Sequence, residues 1–78
     1  MQEIMEERWR QDQKWGEQNH GDLYWLGILV EEVGELAKSI ISGDGSASDA
    51  REELAQVTAV GLAWLECMER RRREELDL

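Results

Sequence analysis

The stretch that decides the fold is SDAREELAQVTAVGLAWLECMERRRRE, residues 48–74. It is rich in Glu, Leu, Ala, Arg and Gln, contains no proline, and repeats its apolar residues at helical spacing, so it predicts one long helix. Two further helices are predicted at about 2–14 and 22–42, separated by the Gly-, Asn-, Asp- and Ser-containing stretches 16–22 and 42–49. Asp22 is expected to cap the second helix. The sequence therefore predicts an all-α chain of three helices.

Each of the two longer helices places acidic residues against its apolar face. On the second helix one broad apolar arc is predicted, and Glu31, Glu32 and Glu35 lie just beyond its edge. On the third helix Glu53 projects inside the apolar arc and Gln56 lies at its margin. The arc of the third helix comprises Leu54, Val57, Val60, Gly61, Leu62, Trp64, Leu65 and Met68. A carboxylate among core residues is costly unless a cation or a hydrogen-bond donor meets it, so Glu53 requires a partner.

Length and charge exclude several classes of protein. The 78 residues form one domain, 1–78, and a chain this small is expected to self-associate. The net charge of −9 argues against binding to nucleic acid, and no apolar run is long enough for a membrane span. One cysteine and one histidine exclude an internal disulfide and a zinc site, and Cys67 is expected to be a small buried residue. By default, a cytoplasmic location is expected.

The spacing of the acidic residues favours a site for a hard cation. Glu32 and Glu35 are three residues apart, as are Glu53 and Gln56, so each pair lies on one face of its helix. If the two apolar arcs pack together, the pairs converge, and their mutual repulsion favours a cation between them. Oxygen ligands alone select Mg²⁺, with Mn²⁺ as the alternative.

Simpler interpretations of these residues remain open. Glu31 fits a solvated helix face as well as a site, and Glu53 could form a salt bridge with Arg8 or Arg51. A di-iron carboxylate bundle would require histidine on its helices, whereas His20 lies in a loop.

The first connection and its flanks carry side chains suited to recognising a base. An indole can stack on a base and an amide can read its edge, and a lysine can reach a phosphate. For Trp25 the alternative is a core residue, for His20 a loop hydrogen bond, and for Lys14 an exposed helix end. If the ligand is a nucleotide, the predicted substrate-binding residues are Lys14, Trp15, Asn19, His20 and Trp25.

The only basic run is Arg70 to Arg73, near the end of the third helix. Glu66–Arg70 and Glu69–Arg73 have the i,i+4 spacing of helical ion pairs, and cations suit a helix C-terminus. A phosphate-binding role across a subunit interface is the alternative.

Two motifs resemble a known family. Glu31-Glu32-Val33-Gly34-Glu35 resembles the EExxE motif of the MazG-like all-α nucleoside triphosphate pyrophosphohydrolases, and Glu53-Leu54-Ala55-Gln56 falls where that family has ExxD. The stretch Asp12-Gln13-Lys14-Trp15-Gly16-Glu17-Gln18-Asn19-His20, followed by Trp25, is similar to the entry segment of small members. The resemblance covers nearly the whole chain.

The resemblance implies a three-helix protomer that completes a helical bundle by dimerisation, or as a dimer of dimers. It also implies Mg²⁺-dependent hydrolysis of a nucleoside triphosphate to the monophosphate and pyrophosphate, as in the removal of non-canonical nucleotides. Glu32, Glu35 and Glu53 match metal ligands, and Glu31 matches the leading glutamate, which positions a ligand or water. Gln56 stands where the family has aspartate; its amide oxygen can bind Mg²⁺ but cannot act as a base. A nucleotide- or metal-binding protein with little turnover, or a plain oligomerisation module, is therefore an alternative.

Overall fold

The computed structural model describes residues 2–42 and 47–76, and the described residues fold into three helices. Helix α1 runs Gln2–Trp15, α2 runs Asp22–Ile41 and α3 runs Ala47–Leu76. No strand occurs in these two ranges, so the predicted all-α class is confirmed, with helix boundaries within about two residues of those expected. None of the helices within 2–42 and 47–76 is both long and apolar enough to cross a membrane.

A glycine ends the first helix, and another precedes the second. The Gly16 N–H donates to the Asp12 carbonyl at 2.8 Å, and Gly16 adopts a positive φ of 70°, a conformation that glycine reaches without strain. The predicted cap of α2 is wrong: Gly21 occupies the N-cap position and forms no side-chain cap, whereas Asp22 is already helical. The Asp22 carboxylate is engaged instead by Trp64 and Arg71 of α3.

Helix α3 is the spine of the molecule. Its 30 residues correspond to about 45 Å of helix, close to the long dimension of the 51 × 25 × 19 Å molecule. Both α1 and α2 pack on α3, but within the described residues no Cα atom of α1 lies within 8 Å of a Cα atom of α2. The two shorter helices therefore flank an open space whose floor is α3.

The core is small and centres on one indole. Trp25 of α2 is only 1% exposed and packs with Val60, Ala63 and Cys67 of α3. Ile28, Leu29 and Trp64 pack against this cluster. The expectation that Cys67 is buried is confirmed.

The predicted apolar arc of α3 is only partly correct. Leu54, Leu65 and Met68, which the arc included, are exposed, whereas Ala59, Ala63 and Cys67 are buried. Small side chains allow α2 to approach α3 closely enough to bury a large indole between them, which long side chains at the same positions would prevent. Which side chains of α3 face the core therefore depends on their size as well as on their hydrophobicity.

Helix α1 is attached to α3 through polar contacts. The buried Arg8 guanidinium contacts Glu66 at 3.0 Å and Asp12 at 3.1 Å, and it donates to Gln11. Near the start of α1, Glu3 forms an ion pair with Arg51. Both arginines considered as partners for Glu53 are therefore bound to other carboxylates.

The apolar arc of α2 divides into two faces. One face, which includes Trp25, Ile28 and Leu29, packs toward α3. The other face leaves large apolar side chains exposed at the three-, four- and seven-residue spacing of a coiled-coil seam. We call this set the α2 seam; it consists of Leu23, Leu26, Val30, Val33 and Ile40.

Replacing Arg8 by Ala should lower the free energy of unfolding by about 1–3 kcal/mol, because the buried Gln11 amide and the carboxylates of Asp12 and Glu66 lose their donor. Arg72→Ala is the matched control, because among the described residues Arg72 pairs with Glu69 at the surface and its loss should cost below about 1 kcal/mol. Urea denaturation of both variants measures the difference. Equal effects would show that the buried arginine does not anchor α1.

Candidate functional site

A groove of about 820 Å³ lies between α1 and α2, over α3. Four parts of the chain line it: α1, the connection that follows it, α2 and the middle of α3. Its lining includes eight of the residues predicted for the site, namely Lys14, Trp15, Asn19, His20, Trp25, Glu31, Glu32 and Gln56. The structure thus brings the predicted base-recognition residues and half of the predicted acidic set into one space.

One end of the groove is aromatic. The His20 ring lies 4.4 Å from the Tyr24 ring and 5.0 Å from the Trp25 ring, between centroids. Trp15, at the end of α1, is 56% exposed, and the Lys14 ammonium lies 4.8 Å from its ring centroid. The alternative for His20 is confirmed, since its Nε2 is 3.0 Å from Gln18 Oε1. Exposed rings beside amides can receive a flat, polar-edged ligand.

Trp25 forms the buried floor of this end. Its indole N–H has no hydrogen-bond partner of good geometry among the described residues, and its burial confirms the alternative of a core residue. Burial alone would raise the pKa of the Cys67 thiol, but the nearby indole N–H and the Arg71 guanidinium outweigh burial and lower it. Contact between Trp25 and a ligand stays a prediction.

Two arginines of α3 bind the connection between α1 and α2. Arg70 Nη2 donates to the Gln18 carbonyl at 2.8 Å, and Arg71 Nη2 donates to the His20 carbonyl at 2.9 Å. The predicted Glu66–Arg70 pair is wrong, because Glu66 pairs with Arg8. The partner of Arg70 is Glu17, at 3.3 Å.

The other two arginines of the basic run behave as ordinary surface residues. The predicted Glu69–Arg73 pair is present, at 3.5 Å, and Arg72 shares the same carboxylate. The basic run is therefore divided: Arg70 and Arg71 make tertiary contacts, whereas Arg72 and Arg73 make helical pairs.

The other end of the groove is acidic. Burial raises the pKa of the Glu32 carboxyl above its ordinary value of 4.5, and the charge of Glu53 raises it further. Smaller contributions of the same sign come from Glu31, Glu35 and Glu7. Four carboxylates, from all three helices, therefore act on the Glu32 carboxyl.

Four of these carboxylates have no counter-charge. Within residues 2–42 and 47–76, no hydrogen bond or ion pair engages the side chains of Glu31, Glu32, Glu35 or Glu53. Glu7, by contrast, pairs with Arg10 at 2.9 Å. The salt-bridge interpretation of Glu53 is therefore not realised in the described chain.

The predicted metal ligands do not converge fully. Glu32 and Gln56 line the groove, whereas Glu35 and Glu53 lie outside its lining. Among the described residues, no three acidic, histidine or cysteine side chains stand close enough to hold a metal ion. The arrangement is a cluster of interacting carboxylates rather than a preformed coordination sphere.

Several residues of the site were not predicted from the sequence. Glu7 reaches the groove from α1, and Tyr24 borders it beside His20. Arg70 and Arg71 reach the connection from 52 and 51 residues away. Tyr24 carried a signal, because it sits between His20 and Trp25; the other three depend on long-range packing.

Comparison with known proteins adds no assignment. No family model matches the chain, and neither the curated proteins nor the solved structures include a match. Any proposal about function must therefore be argued from the residues of the chain and from the groove.

Replacing Glu32 by Gln should raise the melting temperature by a few degrees at pH 7 without divalent cations. The folded-state pKa of Glu32 lies above the unfolded value, so this carboxyl lowers stability progressively as the pH rises from the unfolded-state pKa to the raised pKa, and by its full amount above that. The gain should shrink as the pH falls through that pKa and vanish below about pH 4, where both states are protonated. Thermal melts from about pH 3 to 8 measure it.

The exposed Glu75 provides the control, since Glu75→Gln removes the same charge far from the cluster. If both variants gain equally, the effect is one of net charge and the carboxylates of the groove do not repel each other.

Proposed function

We propose that this protein is a Mg²⁺-dependent nucleoside triphosphate pyrophosphohydrolase that releases pyrophosphate and a nucleoside monophosphate. The observation that carries the proposal is the polarity of one groove, which has exposed rings and amides at one end and uncompensated carboxylates at the other. Residues 31–35 and 53–56 resemble the two motifs of the MazG-like family, and this resemblance supports the same assignment.

The dimensions of the groove suit a nucleotide. Tyr24 and Glu31 both line it and are seven residues apart on α2, which corresponds to about 10 Å along the helix. That span accommodates a sugar and the first phosphate between a stacked base and a cation-binding end. The base would lie by Trp15 and Tyr24, with Asn19 and His20 at its edge and Lys14 within reach of a phosphate.

The donor set of the acidic end fits magnesium. Glu32, Glu35 and Glu53, with the amide oxygen of Gln56, offer hard oxygen donors only, which Mg²⁺ prefers and Mn²⁺ also accepts. The three carboxylates have no competing partner among the described residues, so they can turn toward a cation at little cost. Bound Mg²⁺ would supply charge neutralisation of the triphosphate and activation of a water molecule.

The protein residues would divide the remaining work. Glu31, exposed on the groove wall, would position the attacking water or a ligand of the cation. Glu32, Glu35 and Glu53 would bind the cation through their carboxylates. The groove itself would orient the phosphate chain for in-line attack.

A second candidate is a nucleotide- or metal-binding protein with little turnover. Gln56 favours it, because a neutral amide lines the groove where the family motif has an acid, and an amide cannot accept a proton. The same groove serves both functions, so turnover separates them.

We also propose that the protomer dimerises through the α2 seam. Few side chains of the described protomer are buried, and the seam exposes five large apolar residues along most of a 20-residue helix. A second copy presents the same seam, and a symmetric antiparallel or parallel pairing would bury both. A dimer of dimers and a cytoplasmic location stay predictions.

Pyrophosphate release from a panel of canonical and damaged nucleotides should require Mg²⁺ or Mn²⁺ and should stop on addition of EDTA. Glu53→Gln should reduce the rate by at least about 100-fold, since even groups that only support a metal ligand contribute about 10- to 100-fold. Glu52→Gln, an exposed neighbour on the same helix, is the matched control and should retain activity.

Three outcomes separate the candidates. Hydrolysis that persists in EDTA removes the cation from the proposal. Thermal stabilisation by nucleotide with Mg²⁺, without pyrophosphate release, favours the binding protein. Absence of both effects across the panel leaves an oligomerisation module.

Replacing Val30 and Val33 together by Glu should convert the dimer to a monomer, because the two introduced charges of each copy would meet their counterparts in the seam. Lys38→Glu provides the control, as an exposed position on the same helix outside the seam. Sedimentation equilibrium at micromolar concentration measures both. A monomeric wild-type protein, or a double variant that still dimerises, would contradict the interface.

A further inference from the structure

We propose that Arg70 and Arg71 are positioning residues that hold the connection between α1 and α2 in the shape required for base recognition. The inference rests on the proposed function and extends it, because it assigns nucleotide affinity to two side chains that line no part of the groove. Three sets of contacts between α3 and residues 17–22 support it.

The first observation concerns backbone carbonyls. Gln18 and His20 lie in the connection, outside the helices, and the two guanidinium groups bind their carbonyls at 2.8 and 2.9 Å. Charge-assisted hydrogen bonds of this length are stronger than neutral ones, and buried carbonyls without a donor are costly. The two arginines therefore fix the path of the backbone on both sides of Asn19.

The second observation concerns the Asn19 amide. Arg70 Nε donates to Asn19 Oδ1 at 3.1 Å, and the Asn19 amide nitrogen donates to Glu17 at 3.0 Å. These two contacts set which way the amide faces, since a guanidinium can only donate and a carboxylate can only accept. A fixed amide presents a defined donor and acceptor, which is the requirement for reading the edge of a base.

The third observation concerns the start of α2. Arg71 also contacts Asp22 at 3.2 Å, and Asp22 accepts the Trp64 indole N–H at 3.0 Å. The Trp64 hydrogen bond and the Arg71 guanidinium lower the pKa of the Asp22 carboxyl, so this anchor is charged at neutral pH. The anchor holds the helix turn that carries Tyr24 and Trp25.

The geometry separates this role from metal binding. Arg70 lies 17 residues after Glu53 on the same helix, which corresponds to about 25 Å. Loss of the arginines should therefore disturb the aromatic end and leave the acidic end intact. A merely structural role would weaken both ends through stability.

The basic run supplies its own control. Arg70→Gln with Arg71→Gln removes two charges and the carbonyl contacts, whereas Arg72→Gln with Arg73→Gln removes two charges and only pairs with Glu69. A third variant, Arg70→Lys with Arg71→Lys, keeps the charge but loses the fork of donors. Circular dichroism and thermal melts establish that each variant is folded.

Each folded variant is tested for its Kd for deoxynucleoside monophosphates, from the change in tryptophan fluorescence, and for its Kd for Mg²⁺ alone. The double replacement of Arg70 and Arg71 by glutamine should weaken nucleotide binding at least about 10-fold, with Mg²⁺ affinity within about twofold of wild type. The double replacement by lysine should lose most of the same affinity. The control pair should match wild type in both assays.

Hydrogen exchange of the backbone amides of residues 17–21 separates a failure of the positioning role from a failure of the proposed function. Faster exchange in the Arg70/Arg71 variants, with nucleotide affinity lost, supports the positioning role. Equal affinity in both glutamine double variants, or a parallel loss of Mg²⁺ affinity, overturns it. If the wild-type protein binds no nucleotide, the proposed function fails and the role in base recognition fails with it, even where exchange shows that the arginines order the connection.

Discussion

The fit of one indole against small residues on α3 is the constraint on which the rest of the structure depends. Trp25 reaches its depth because Ala63 and Cys67 leave room for it, and this contact sets how α2 lies on the spine. Helix α1 joins the same spine separately, through Arg8 and Glu66. Since the backbones of the two short helices stay apart in the described chain, a groove opens between them. The site is thus a consequence of two independent attachments to one helix.

The helices could be predicted from the sequence because their signals are local. Apolar periodicity, the absence of proline, and glycine-rich connections depend only on neighbouring residues, so three helices with nearly correct ends follow. The inward face of α3 could not be read in the same way. Hydrophobicity ranks Leu54 and Met68 above Ala59 and Ala63, but the size of Trp25 reverses the order. The cap of α2 failed for a similar reason, because Trp64 and Arg71 of α3 engage the Asp22 carboxylate.

At the candidate site, only the relative positions of residues on the same helix could be predicted from the sequence. The spacing of Glu31, Glu32 and Glu35 placed them together on α2, and the charge of Glu53 raises the pKa of the Glu32 carboxyl. Among the described residues the two motifs nevertheless do not form a group of three side chains close enough to hold a metal ion. The contributions of other elements were not accessible. Glu7 belongs to a helix whose inward face is polar, so no apolar stripe marks it, and the contacts of Arg70 become apparent only when the connection lies across α3. The i,i+4 spacing predicted Glu66 as the partner of Arg70, but Glu66 pairs with Arg8.

The acidic end and the aromatic end of the groove differ in how their polar and charged side chains are paired. At the aromatic end the polar side chains of the connection are matched: Asn19 meets Arg70 and Glu17, and His20 meets Gln18. At the acidic end Glu7 pairs with Arg10, but the other four carboxylates have no counter-charge within residues 2–42 and 47–76, although the sequence contains nine arginines and lysines. Matched groups suit a region whose shape must persist, whereas an unmatched acid raises the free energy of the folded state until a cation arrives. The proposed function requires a ligand with positive charge, and the burial of Glu32 beside Glu53 favours one.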